Sequence, residues 1–255
     1  MNPAAILAVF RFECKRSVTL SRGMGWLTIS LFPALLIGLM RFTGASLALQ
    51  DDFLSVALFF IIVEIACLLN LLLWAAPVVQ SELEGKTWIY LSVRPQGRWA
   101  VVLGKYLVAV VWSTFGGWLS VLASLTASGL DGVTGLSSML GGLVLLSCLS
   151  YGALFILIGV LFPKRSMVIV VVYSLLMEGA IASIPALINR LTVRSHLFSI
   201  YIEGYLPADI ANPYRDIYGS SSIIVSLLSL VIYVGIALGI ALFMVKRKEY
   251  LMADD

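Results

Sequence analysis

FLSVALFFIIVEIACLLNLLLWAAPVV, residues Phe53 to Val79, holds one charged side chain, Glu64, in an otherwise almost wholly apolar run. A helix that crosses the hydrocarbon core of a bilayer needs about 20 apolar residues, so this stretch reads as a transmembrane span. Working outward, five further segments qualify: 24–40, 99–127, 133–162, 167–187 and 222–245. The fourth and fifth spans are separated only by Pro163-Lys164-Arg165-Ser166 and must form a tight antiparallel hairpin. Pro33 lies within the first span, a position membrane helices tolerate when neighbours satisfy the freed carbonyl.

Composition agrees. Of the 255 residues 60% are hydrophobic and 12% charged, about half the charged share of a soluble domain. Lipid is the solvent for most of this surface. The expected class is all-α: a polytopic membrane protein with six spans, forming one domain over residues 1–255. Cys14, Cys67 and Cys148 have no paired spacing, so no disulfide framework or zinc site is readable. The first apolar stretch, Ala4 to Phe10, is short and runs into charge, so no cleavable signal peptide is expected.

Lys and Arg set the expected orientation. Thirteen fall on one side: Arg11, Lys15, Arg16, Arg22, Lys86, Arg94, Arg98, Lys105, Lys164, Arg165, Lys246, Arg247 and Lys248. Four fall on the other: Arg41, Arg190, Arg194 and Arg215. By the positive-inside rule both termini lie in the cytoplasm of a cell whose plasma membrane holds the chain. Residues 1–23 mix apolar and basic side chains and read as an amphipathic helix in the cytoplasmic interface, or as a merely topogenic basic tail. In the third span Gly116, Ser120, Ser124 and Ser128 recur every four residues, and the sixth contains Gly235 and Gly239. Ordinary packing within the bundle accounts for both stripes.

The loop 81–98, SELEGKTWIYLSVRPQGR, carries the most specific signal. Ser81 and Glu84 have capping-box spacing, so a short helix is expected to begin there, with Glu82 and Lys86 paired at i,i+4. Arg94-Pro95 ends it. Trp88, Ile89, Tyr90 and Leu91 would then be exposed together, enough to form a docking surface. Gly85-Lys86-Thr87 has the look of the end of a nucleotide-binding loop, but Gln80 occupies the place of the first glycine and no strand precedes it.

This loop resembles the one between the second and third spans of type-2 ABC exporter permeases. The matching residues are Glu82, Glu84, Gly85, Thr87, Leu91, Pro95, Arg98, Gly104 and Lys105, with Trp88 and Arg94 between them. The resemblance implies a coupling helix that docks on an ATP-hydrolysing subunit. It further implies a permease that works as a pair, with itself or with a related chain, and is not itself an enzyme. It also implies that ATP and magnesium are held by a separate partner and that this chain holds no cofactor. The bilayer is the remaining partner, and no nucleic acid is expected.

Two acids lie inside apolar spans, Glu64 in the second and Glu178 in the fifth. An ionised carboxylate facing lipid costs several kcal/mol, so both should face the bundle interior or be protonated. The resemblance places the second and fifth spans along the pathway, where Glu64 and Glu178, with Asn70, would meet a polar or cationic part of the substrate. The other reading is an interhelical hydrogen-bond clamp. The long outer loop, 189–220, has apolar and tyrosine residues at helical spacing and reads as a short re-entrant helix or as a simple amphipathic lid. His196, the only histidine, is an ordinary loop residue on this reading.

Two alternatives compete with the permease. An ion-coupled secondary transporter would use Glu64 or Glu178 as its proton site, but internal repeats and broken helices are not evident beyond Pro33 and Pro77. An intramembrane hydrolase would need a nucleophile motif or a His-Glu-x-x-His cluster, and neither is present.

Overall fold

A computed structural model of the chain describes residues 3–17, 19–43, 51–86, 88, 97–129, 134–180, 192–207, 210–212, 214–215 and 221–248. Helix α1 is Pro3–Ser17 and α2 is Leu20–Phe42. The second apolar run is continuous but changes its winding: α3 (Asp51–Leu58) passes through a π-helical segment, Phe59–Ala66, into α4 (Cys67–Trp74). A short α5 (Gln80–Glu84) follows, then the long α6 (Gly97–Ser128) and α7 (Thr134–Leu161). Helix α8 (Ser166–Tyr173) again runs into a π-helical segment, Ser174–Ala180. Last come α9 (Val193–Gly204) and α10 (Ile223–Arg247).

Five helices among the described residues are long and apolar enough to cross a membrane: Leu20–Phe42, Phe53–Trp74, Gly97–Ser128, Thr134–Leu161 and Ile223–Arg247. The sixth expected span, 167–187, is represented by the shorter apolar stretch Ser166–Gly179, and its remainder lies outside the described residues. The first span begins earlier than expected, because the chain is extended at Thr19 and the helix restarts at Leu20, taking in Arg22.

Helices α6 and α7 form the centre, with α1, α2 and α4 against α6 and with α9 and α10 against α7. The serine stripe of α6 explains the closeness. Ser120 donates to the Ser30 carbonyl of α2 at 2.5 Å, and a Cβ on Gly116 would stand 2.7 Å from both Ser30 Oγ and Trp26 Nε1. Small residues let these backbones meet, as expected of packing within the bundle. Gly235 and Gly239 differ from that expectation: among the described residues, no atom beyond the helix's own backbone lies within 4 Å of a Cβ placed on either. Few residues of α2 and α10 are buried, and both carry large apolar side chains outward, the surface a lipid-facing helix presents.

Candidate functional site

Two buried ionic clusters lie in different parts of the molecule. The first involves the loop signal. Glu82, 2% exposed, takes Lys105 Nζ at 2.6 Å and Arg16 Nη1 at 3.1 Å. Lys105 also donates to Ser81 Oγ at 2.7 Å and to the Val78 carbonyl at 3.1 Å. One carboxylate thus joins α1, α5 and α6. Gly104 completes the joint, since a Cβ there would stand 2.7 Å from Val9 Cγ1 and 3.3 Å from the Phe10 backbone nitrogen. The Gly104-Lys105 pair therefore combines a close approach for α1 with an ammonium for Glu82.

Several expectations for this loop are corrected. Helix α5 starts at Gln80 rather than Ser81, its N-cap residue is Val79, and no side chain caps it. Ser81 has its hydroxyl turned to Lys105 instead, and Glu84 accepts from Gln80 Nε2 at 2.7 Å. The helix ends at Glu84 with Gly85 as its C-cap, and Lys86 adopts a left-handed backbone at φ 53°, so Lys86 does not continue the helix on which an i,i+4 pair with Glu82 was expected. Trp88 is not exposed: at 4% it belongs to the core. Arg98 donates to the Lys246 carbonyl at 3.2 Å, tying the start of α6 to the end of α10. Thr87, Leu91, Arg94 and Pro95 lie outside the described residues.

The second cluster gathers the two intramembrane acids. Both sit on the π-helical segments, which are uncommon and occur often at functional sites. Their partner is Arg194, at the start of α9. Its Nε lies 3.0 Å from Glu64 Oε1, and its Nη1 donates to the Glu178 carbonyl at 2.8 Å. Its backbone N–H donates to Glu178 Oε2 at 3.2 Å, and its guanidinium lies 4.8 Å from the Phe60 ring centre. Tyr151 and Tyr173 donate to Glu178 at 2.9 and 3.3 Å. Glu178 is therefore well satisfied. Glu64 is not: Arg194 is at ion-pair distance, but Glu64 Oε1 accepts no aligned hydrogen bond from the described residues.

These groups edge an open cavity of about 410 Å³ between the second apolar run and α8. Most of its lining is apolar, including Phe60, Leu68, Leu72, Phe155 and Leu175. Asn70 is not part of it. Asn70 packs against α6, where its Nδ2 would be 3.1 Å from a Cβ on Gly116 and both amide atoms lack a partner among the described residues.

Arg194 is the group that sequence reasoning missed, having been counted as an outer-loop charge. Its helix is no surface lid. Val193, His196, Leu197, Phe198, Tyr201 and Ile202 are all buried, so α9 packs into the bundle. Thr192 caps it by accepting from the Ser195 N–H at 3.2 Å. Stacking of Phe59 on Tyr201 at 5.0 Å and Phe60 against Phe198 at 5.3 Å holds it against the first π segment. His196 is accordingly a buried helical residue, its ring 6.1 Å from that of Tyr233. Two buried acids without a cation in their own spans were the signal that one must come from elsewhere.

Among known families, the model described as ABC-2 family transporter protein matches residues 15–192. No curated protein matches the chain. The matched stretch contains the whole of the first ionic cluster except α1 up to Cys14, and both acids of the second. The chain belongs to the ABC-2 transporter membrane family and is a multi-pass membrane protein.

Proposed function

We propose that this ABC-2 family member is the permease subunit of an ATP-driven exporter, pairing with itself or a related chain and docking on separate ATPase subunits through residues 82–105. Family membership supports association with an ABC ATPase. The observation that carries the finer reading is the Glu82–Lys105–Arg16 network, which makes α1, α5 and the start of α6 one unit. A push on the loop between the second and third apolar runs then reaches three helices at once, which is what mechanical coupling needs. ATP and magnesium belong to the partner, and this chain carries no cofactor. Both termini face the cytoplasm, by the Lys/Arg asymmetry. Glu64 and Glu178, with Arg194, lie on the substrate pathway.

Leu91→Asp tests the docking. A charge in a packed interface core costs on the order of 2–4 kcal/mol of affinity. The expected variant inserts normally and no longer co-purifies with, or stimulates, an ABC ATPase. Unchanged association and unchanged export would remove the assignment. Transport that continues on an ion gradient after ATP depletion would favour the secondary transporter built on Glu64 and Glu178.

A further inference from the structure

The cavity at the two π segments has unequal charge. Glu64 and Glu178 bring two carboxylates to it, and Arg194 is its one cationic lining residue among those described. The guanidinium is also shared unevenly. Glu178 has two tyrosine hydroxyls, the Arg194 backbone N–H and, at its carbonyl, Arg194 Nη1. Among the described residues Glu64, 8% exposed, has the unaligned approach of Arg194 Nε, and its Oε1 accepts no hydrogen bond from them. A buried carboxylate so poorly supplied is costly, and the cost falls when a better-placed positive charge takes over from the guanidinium.

The surroundings define what that charge is attached to. The void, about 410 Å³, is within the range of small-molecule sites, and its walls are aliphatic and aromatic. Phe60 already holds a cation over its ring face, and Phe155 lines the same space. Cations over such faces are attracted by the ring quadrupole, more so when desolvated. A hydrated inorganic ion would leave the apolar walls without a partner, and an anion would meet Glu64.

We propose that this cavity binds a lipophilic monocation, whose charge takes the place of the Arg194 guanidinium beside Glu64. Its role as a transported substrate rests on the pathway reading above, whereas the site's chemistry rests on the geometry. Arg194 is then an internal competitor. It neutralises Glu64 when the cavity is empty and gives way when the cation enters, loosening α9 from the π segment that carries Glu64.

Radiolabelled tetraphenylphosphonium is the probe, measured by scintillation proximity on the purified full chain in lipid nanodiscs. Binding should saturate. It should not be displaced by triphenylphosphine oxide, which is similar and neutral, or by tetraphenylborate, which is similar and anionic. Glu64→Gln should weaken it by roughly tenfold or more. Arg194→Gln should tighten it, the opposite of what loss of a purely structural clamp would do. Non-saturable binding, equal displacement by the neutral oxide, or unchanged affinity in Glu64→Gln would overturn the proposal. Should Arg194→Gln fail to give monodisperse protein, the wild-type competition and Glu64→Gln still decide. ATPase association, measured on the same preparations, separates the two readings. Its loss with cation binding intact would sink the exporter assignment alone, and the reverse would sink the cation site alone.

Discussion

The two ionic clusters use the same side-chain chemistry and differ in how completely they are satisfied. Around Glu82 one buried carboxylate faces two cations, of which Arg16 also pairs with Glu13 at 3.7 Å, and Lys105 spends its donors on Glu82, Ser81 and Val78. The space beside it is only about 30 Å³. Around Glu64 two carboxylates share one guanidinium beside a void of about 410 Å³. A closed, saturated network resists rearrangement and transmits displacement. An undersupplied one beside a cavity has a second state within reach, because an incoming ligand improves it. On the proposed function, the closed cluster lies at the coupling end and the open one at the substrate end.

The largest effect should come from breaking the saturated cluster. Lys105→Met leaves Glu82 buried without the ammonium that lies 2.6 Å from it, and removing one partner of a buried pair typically costs about 3–5 kcal/mol. The expected outcome is a large drop in the thermal stability of the detergent-purified chain. Adding Glu82→Met should recover most of it, since two apolar groups need no solvation. If Lys105→Met melts like the wild type, the network is not the joint described above.

At the other cluster the same operation should cost less, because Arg194 keeps its bond to the Glu178 carbonyl. Glu64→Leu should lower stability by about 1–3 kcal/mol, and Glu64→Gln by less, since the amide retains an acceptor. Export separates the roles. Should Glu64→Gln abolish export in a chain that assembles and melts normally, the charge itself matters and a mere clamp is excluded. Two silent substitutions would remove Glu64 from both roles.

How much of this could be read in the sequence follows the same division. Five of the six expected spans could be read because apolar length is a local property: the edges of α6, α7 and α10 fall within two residues of those expected. The Gly104-Lys105 signal was visible, but its meaning was not. Sequence places Lys105 in the following span, and only the turn at Ala75–Val79 brings Glu82 back beside it. Lys86, four residues on, was the natural partner by helical spacing and lost because α5 stops at Glu84. Trp88 read as surface because a loop surrounds it, whereas the bundle covers it. Substituting Trp88 would therefore damage the permease itself and is a poor probe of docking. The π segments were invisible, since nothing in FFIIVEIA or SLLMEGA differs in composition from α-helix. Arg194 was misplaced because the helical spacing of its segment was legible, whereas the bend that turns its start toward Glu64 and Glu178 was not.

The smallest expected effect is the one that isolates docking from scaffold. Glu84 stands next to Leu83 and two residues from Glu82, yet it is exposed, and its partner in the described structure is Gln80, at 2.7 Å. Charge reversal at an exposed site away from any network usually moves stability by no more than about 0.5 kcal/mol. Glu84→Lys should therefore leave the melting temperature unchanged within error, in contrast to Lys105→Met. Rim charges act on encounter rate and on its salt dependence more than on the bound state. In the docked reading, Glu84→Lys should slow association with the ATPase subunit, most visibly at low ionic strength, and should leave the dissociation rate nearly as it was. Surface-plasmon measurements on immobilised permease at two salt concentrations would resolve this. A slower association that salt erases places Glu84 at the edge of the partner's footprint. Association rates equal to wild type at both salt levels would put the footprint elsewhere, and residues 82–105 would then stiffen the permease without touching the motor.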